Sequence, residues 1–216
     1  MKSEWRITLL VLVVGAVSVS AHADTVIDTT QSWNGIAFLG PFGSPNTETS
    51  GQIVTVPSDG DSVLKSFTFY CDQSPSLVFR GEVYAWDALH GRATGPSLYE
   101  SPPTSTSQGT AFEPVTFDTG GIQLVPGAQY VIFGSSSKDD DGVGGGRWGE
   151  VSVNPNPYSG GNEVFLNNGT DSSLWTTAGW TQASTSLAFK ADFVPEPLGL
   201  GCIALMATCL RRRRAR

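Results

Sequence analysis

Cysteine and histidine are scarce in this chain, and their scarcity narrows the chemistry that it can perform. Three cysteines and two histidines occur in 216 residues. Between positions 24 and 194 the one cysteine is Cys71 and the one histidine is His90, so no intrachain disulfide can form there. Cys71 ends an apolar run, which favours a small buried side chain over a nucleophile. His90 lies in a turn-like stretch, so we expect no serine or cysteine triad.

Basic residues are also few between positions 24 and 194. Six lysines and arginines accompany 18 aspartates and glutamates there, which gives this region a net charge of −12. A strongly negative surface repels phosphate groups. We therefore expect neither nucleic acid nor an anionic membrane surface as its partner. The charge suits an extracellular module and is compatible with binding of divalent cations.

Helical periodicity is absent from this region, whereas short β-branched and aromatic runs recur between turn residues. The clearest predicted strands cover residues 51–56, 62–70, 77–86, 112–117, 129–134, 163–166 and 185–193, with weaker ones at 36–39, 98–99 and 121–124. The stretch 135–146 is too polar and too rich in glycine to predict a strand. Strands of this number and spacing predict an all-β fold, an antiparallel two-sheet β-sandwich of jelly-roll type.

The last predicted strand has the clearest alternation of apolar and polar residues. Its apolar residues of one face are Leu187, Phe189, Ala191 and Phe193. Phe189 is therefore expected to lie between the two sheets. Trp180 follows a turn-like stretch, so we expect it at the edge of the sandwich, where its removal leaves the fold intact.

The first 23 residues have the pattern of a secretory signal peptide. Two basic residues precede an apolar run over 7–19, and Ala21 and Ala23 are the small residues before a cleavage site. We expect cleavage after Ala23, which leaves Asp24 as the new N-terminus.

The C-terminal segment 195–216 combines three features in a fixed order. A proline-rich junction comes first: Val194, Pro195, Glu196 and Pro197. An apolar stretch over 198–210 follows, and four arginines come next: Arg211, Arg212, Arg213 and Arg214. Prolines on both sides of Glu196 favour extended backbone at the junction. This order resembles the PEP-CTERM sorting signal of bacterial exported proteins.

The resemblance implies a route for the protein. It implies export, a transient hold in the inner membrane by a hydrophobic sorting helix with the arginines on the cytoplasmic side, and transfer to an exosortase-like sorting peptidase. The final location is then the cell surface or the extracellular matrix. The chain accordingly divides into a signal peptide (1–23), a β-sandwich domain (24–194) and a sorting segment (195–216).

Exposed aromatic rings are one candidate for a binding surface, because sugars stack on aromatic faces. The candidate sugar contacts are Trp148, Tyr158, Trp175 and Trp180, which lie in polar or turn-rich segments. The alternative is that the tryptophans are packing residues of the sandwich.

Acidic residues supply two further candidates. Asp139, Asp140 and Asp141 lie in a polar loop and are candidate calcium ligands, although their spacing differs from that of an EF-hand. The alternative is a solvated acidic loop. Glycoside hydrolysis needs a pair of carboxylates, but the candidate glutamates are scattered: Glu82, Glu100, Glu113, Glu150 and Glu163. We assign no catalytic residue.

Three functional hypotheses follow from these patterns. The first is an exported, non-catalytic protein of the cell envelope or exopolysaccharide matrix, without a cofactor. The second is a carbohydrate-binding module that uses exposed tryptophans, with or without calcium, and has extracellular polysaccharide as its partner. The third is a small glycan-active enzyme.

Overall fold

The computed structural model describes residues 24–72, 76–106, 109, 111–153 and 155–196. The predicted cleavage alanines, Pro197, the four arginines at 211–214, the predicted signal peptide and the predicted sorting helix lie outside these residues. Within the described ranges, no helix is long and apolar enough to cross a membrane.

Strands make up nearly all of the regular structure. They are β1 (Thr25–Asp28), β2 (Phe38–Gly43), β3 (Thr49–Thr55), β4 (Val63–Asp72), β5 (Val78–Asp87), β6 (Arg92–Glu100), β7 (Thr104–Ser105), β8 (Glu113–Gln123), β9 (Gln129–Ser135), β10 (Gly144–Val151), β11 (Glu163–Leu166), β12 (Thr181–Gln182), β13 (Ser186–Leu187) and β14 (Phe189–Val194). A short 3-10 helix covers Thr30–Ser32, and the short helix α1 covers Leu174–Thr177.

The strands form two antiparallel sheets, so the predicted all-β, two-sheet class is confirmed. The first sheet has the order β1-β14-β4-β10-β13, with β2 also paired to β10 and β8 to β4. The second has the order β12-β11-β3-β9-β5-β6, with β7 paired to β5. In the first sheet, β14 runs along β4 from Phe189 opposite Phe69 to Val194 opposite Val63, and β1 extends the sheet with Thr25 opposite Phe193.

The core between the sheets is aromatic and centres on Trp148. Its ring contacts Phe42, Phe69 and Phe79 at centroid distances of 4.8, 4.9 and 5.8 Å. Phe189 is 0% exposed in the same core, as its alternation predicts. Cys71 is buried there too, and burial raises the pKa of its thiol well above the ordinary value. Cys71 is therefore a packing residue, as expected.

A second apolar layer covers the outer face of the second sheet. Tyr84, Trp86 and Phe133 project from this sheet and pack against Trp175 and Trp180. The prediction that Trp180 lies outside the core is therefore wrong. Its turn-like segment folds back over the sheet, and Trp180 Nε1 donates a hydrogen bond to the Trp175 carbonyl oxygen at 2.9 Å.

The sequence predicts a polar loop over 135–146, but residues 144–146 form the start of strand β10. They can do so because glycine allows a close approach of two backbones. A β-carbon at Gly144 would collide with the carbonyl oxygen of Ser44, next to β2. The β10–β2 pairing also shifts register twice between Gly144 and Trp148. The glycines of this stretch therefore mark an irregular, tightly paired strand and not a loop.

Candidate functional site

An open cleft lies on the outer face of the first sheet. It has a volume of about 490 Å³. Aromatic and apolar side chains and one arginine form its walls: Trp33, Gly35, Ile36, Phe38, Tyr70, Ala111, Phe112 and Arg147.

Strand alternation places two of these side chains in the cleft. In β4, Phe69 and Cys71 point into the core, so Tyr70 between them points outward. Arg147 precedes the core residue Trp148 in β10 and therefore points to the same outer face.

Trp33 is fixed by backbone contacts after the short 3-10 helix. Its Nε1 donates a hydrogen bond to the carbonyl oxygen of Ala37 at 2.8 Å. The indole ring packs over Gly149, where a β-carbon would lie only 2.7 Å from Trp33 Cζ2. The absence of a side chain at Gly149 thus makes room for the wall of the cleft.

The aromatic rings of the cleft stand at angles to one another. Trp33 and Tyr70 have centroids 5.5 Å apart and an interplanar angle of 53°. Trp33 and Phe112 have centroids 5.0 Å apart and are nearly perpendicular, at 88°. Angled rings form a pocket that encloses a single small ring or chain segment, whereas coplanar rings would suit a flat surface.

Arg147 adds the polar group of the cleft. Its guanidinium lies over the Phe38 ring, 4.7 Å from the centroid, and within 6.0 Å of the Phe112 ring. It also forms an ion pair with Asp72, which is 1% exposed. The ion pair holds one nitrogen of the guanidinium beside Asp72, and a guanidinium has five N–H donors. Aromatic faces beside directed donors form a site that can hold the apolar faces and hydroxyl groups of a sugar.

The predicted sugar contacts do not form this site. Trp148, Trp175 and Trp180 are only 1%, 2% and 6% exposed, so the expectation of exposed tryptophan faces is wrong for all three. Tyr158 is half-buried: its hydroxyl accepts a hydrogen bond from the Thr55 amide, and its ring packs on Phe189. These residues stabilise the sandwich instead.

The acidic loop does not gather its carboxylates around one point. Arg80 holds Asp139 through two hydrogen bonds, of 2.6 and 3.0 Å. Asp140 accepts a hydrogen bond from the Gly142 amide, and Asp141 accepts one from the Val143 amide. Across the described part of the chain, no group of three or more acidic, histidine or cysteine side chains is arranged to hold a metal ion. The three aspartates are therefore not brought together as the calcium hypothesis requires.

Two of the scattered glutamates do meet, around a lysine. Lys138 Nζ lies 3.2 Å from Glu82 Oε1 and 2.7 Å from Glu100 Oε2. Burial raises the pKa of Glu82 to about 7, and the Lys138 ammonium offsets only part of this effect. Neither glutamate lines the aromatic cleft.

Glu82→Gln is expected to reduce the pH dependence of stability between pH 4.5 and 7. Folded Glu82 keeps its proton up to about pH 7, whereas the unfolded chain loses it near pH 4.5. The free energy of unfolding therefore falls as pH rises through this window, by up to about 1.4 kcal/mol per pH unit. Urea unfolding at several pH values measures the slope, with Glu100→Gln as the matched control. Equal slopes for wild type and Glu82→Gln would contradict the assignment.

Comparison with known proteins leaves the family open. No protein-family model matches the chain, and no curated protein matches it. The matching solved structures include the cysteine protease and lectin-like domains of Cwp84, a surface layer associated protein of Clostridium difficile. The sequence identity is 13% and the TM-score is 0.44. The match covers 70% of the present chain and 33% of the Cwp84 structure, so the present chain spans about a third of that structure's length. A likeness at this level carries no information about function.

Proposed function

We propose that the chain is an exported, non-catalytic protein of the cell envelope or exopolysaccharide matrix, and that its β-sandwich binds polysaccharide through the aromatic cleft. The observation that carries this proposal is the meeting of angled aromatic walls and an ion-paired arginine in one open cleft. We also propose that the sandwich that holds the cleft is of the jelly-roll type.

The charges of the domain favour a neutral glycan as the ligand. Of the six basic residues between positions 24 and 194, five form ion pairs with acidic side chains: Arg80, Arg92, Lys138, Arg147 and Lys190. Little positive charge is therefore free to attract a polyanion. Stacking on aromatic faces does not depend on ligand charge, so the cleft suits a neutral sugar chain.

The two terminal signals support the proposed location. The apolar N-terminal segment with its alanine pair supports export, and the PEP-CTERM-like segment supports sorting by a peptidase at the inner membrane. The junction of the sorting segment starts where β14 ends, at Val194. Glu196 accepts hydrogen bonds from Ser62 Oγ at 3.1 Å and Gln123 Nε2 at 2.8 Å, so the start of this segment lies against the first sheet.

The test is glycan binding by cleft variants of the purified protein. Phe38→Ala and Phe112→Ala remove rings from the cleft, and Phe38 is already 46% exposed. We expect each to weaken binding to a neutral polysaccharide about tenfold, which corresponds to about 1.4 kcal/mol. Leu89→Ala is the control, because Leu89 is 87% exposed and lies in the β5–β6 turn.

The outcomes separate the three hypotheses. Binding that Phe38→Ala weakens and Leu89→Ala preserves supports the proposal. A protein that binds no glycan on an array would overturn the glycan-binding proposal and favour the first hypothesis, a non-catalytic matrix protein. Release of new reducing ends from matrix polysaccharide would overturn the non-catalytic assignment and favour the glycan-active enzyme.

A further inference from the structure

A pair of aspartates contacts the start of β1, at the end of the first sheet where β4 begins. Asp59 and Asp61 belong to the turn before β4, and Gly60 between them has a φ of +112°, which residues with a side chain rarely adopt. Thr25 Oγ1 donates a hydrogen bond to Asp61 Oδ2 at 2.6 Å and lies 3.3 Å from Asp59 Oδ2. One hydroxyl group at the first residue of β1 therefore contacts both carboxylates.

Asp61 is buried without the partners that a carboxylate needs. The residue is 0% exposed, and its Oδ1 atom is buried and accepts no hydrogen bond. In the described ranges, neither Asp59 nor Asp61 forms an ion pair with a lysine, arginine or histidine. A buried oxygen without a hydrogen bond is costly, and a buried charge without a countercharge costs more. The geometry therefore favours a cationic donor beside Asp61.

The predicted cleavage after Ala23 creates such a donor next to Thr25. It frees the α-amino group of Asp24, which directly precedes Thr25 and is exposed. Because the ordinary pKa of an α-amino group is about 7.7–8.0, this group is an ammonium with three N–H donors at pH 6.5. Before cleavage the same nitrogen is an uncharged amide with a single N–H. Cleavage therefore adds a positive charge one residue away from the hydroxyl that contacts both aspartates.

The ammonium can reach Asp61 without any change in the sheet. The pairing of β1 with β14 begins at Thr25, opposite Phe193, so Asp24 lies outside the ladder. Consecutive Cα atoms are about 3.8 Å apart. Rotation about the backbone bonds of Asp24 alone can therefore direct its nitrogen towards Asp61 Oδ1.

We propose that the amino terminus created by cleavage after Ala23 binds to this aspartate pair, with the α-ammonium of Asp24 donating to Asp61 Oδ1 and attracted by Asp59. The proposal rests on the proposed export of the chain, and it does not depend on the glycan cleft. Its consequence is that removal of the signal peptide stabilises the domain, so the processed protein is more stable than its precursor.

The test compares melting temperatures at pH 6.5 of three proteins that all end at position 216. The first begins at Asp24, the second is the same chain with an acetylated α-amino group, and the third keeps Ala23. Acetylation removes the charge without any substitution, and we expect it to lower the melting temperature by about 3 °C. Retention of Ala23 moves the charge one residue away, so we expect most of the same loss.

Asp61→Asn, which is nearly isosteric, should abolish the difference between the free and the acetylated protein. Asp140→Asn is the matched control, because it changes the net charge equally, but its carboxylate accepts a hydrogen bond from the Gly142 amide in the acidic loop. The control should keep the full difference.

Three results would overturn the proposal. One is an equal melting temperature of the free and the acetylated protein. Another is a difference that survives Asp61→Asn, which would place the ammonium elsewhere. The third is a rise in melting temperature with calcium that Asp61→Asn abolishes, which would assign the aspartate pair to a metal ion.

The cleavage on which the proposal rests is checked separately by N-terminal sequencing of the exported protein. An N-terminus other than Asp24 would overturn both the predicted cleavage site and the ion pair. Equal melting temperatures of the free and acetylated proteins would overturn the ion pair alone. Phe38→Ala should leave the effect of acetylation unchanged, so a failure of the glycan proposal remains distinguishable.

Discussion

Trp180→Ala is expected to destabilise the domain by about 3–5 kcal/mol. The Trp180 ring packs against Phe133 and Trp86, with centroids 5.2 and 5.9 Å away, and its indole N–H binds the Trp175 carbonyl. The truncation leaves a cavity within the second apolar layer, and it removes the hydrogen-bond donor of the Trp175 carbonyl oxygen. Since a domain is stable by only about 5–15 kcal/mol, the loss is a large share of the total. Chemical denaturation measures it.

Trp180→Phe is the matched control, because it keeps an aromatic ring but removes the hydrogen bond to the Trp175 carbonyl. It should cost less than the alanine variant. A Trp180→Ala protein as stable as wild type would show that the second apolar layer contributes little to folding, as the turn-like sequence of this segment suggested.

Phe189→Ala is expected to cost a similar 3–5 kcal/mol, in the core between the sheets. Phe189 is fully buried, and the Tyr158 ring meets it edge-on at a centroid distance of 5.5 Å. Its backbone is held by the Thr29 hydroxyl, which donates to the Leu187 carbonyl and accepts from the Phe189 amide. The strand therefore stays in place, and the cavity cannot readily close. Thermal and urea unfolding both report the loss.

Phe38→Ala provides the contrast for Phe189→Ala, because it removes the same side chain from a partly exposed position. We expect a stable protein with weakened glycan binding from Phe38→Ala, and an unstable protein from Phe189→Ala. A silent Phe189→Ala variant would show that the alternation in β14 had been assigned to the wrong face.

The strands that the sequence predicts well are those whose own residues alternate or form long β-branched and aromatic runs. The predicted strands at 129–134 and 163–166 match β9 and β11 closely. The predicted segments 112–117 and 121–124 belong to one strand, β8, which contains two positive-φ glycines, Gly120 and Gly121. Glycine marks a chain reversal as well as a strand irregularity, so sequence alone does not separate the two.

Other features depend on contacts that no local pattern records. Strand β1 is short and exists by pairing with β14, and β10 is built on glycines that permit close packing. The burial of Trp175 and Trp180 depends on a segment that folds over the second sheet. The sequence feature that indicates this second apolar layer is the presence of apolar residues on both faces of β5, such as Val83 and Tyr84.

The cleft itself was beyond prediction for a similar reason. Trp33, Tyr70, Phe112 and Arg147 come from four segments far apart in the chain and share no local motif. Trp33 is recognisable as one of six tryptophans, but its position in the cleft wall depends on the missing side chain at Gly149.

The register of β14 on β4 places the C-terminal end of the sandwich and the aromatic cleft at opposite poles of the first sheet. Val194 lies beside Val63 at one end of β4, and Thr25 lies at the same end through its pairing with Phe193. Tyr70 is seven residues further along β4, which at about 3.3 Å per residue is roughly 23 Å away. A domain held to a membrane at Val194 would therefore carry its aromatic cleft at the far pole.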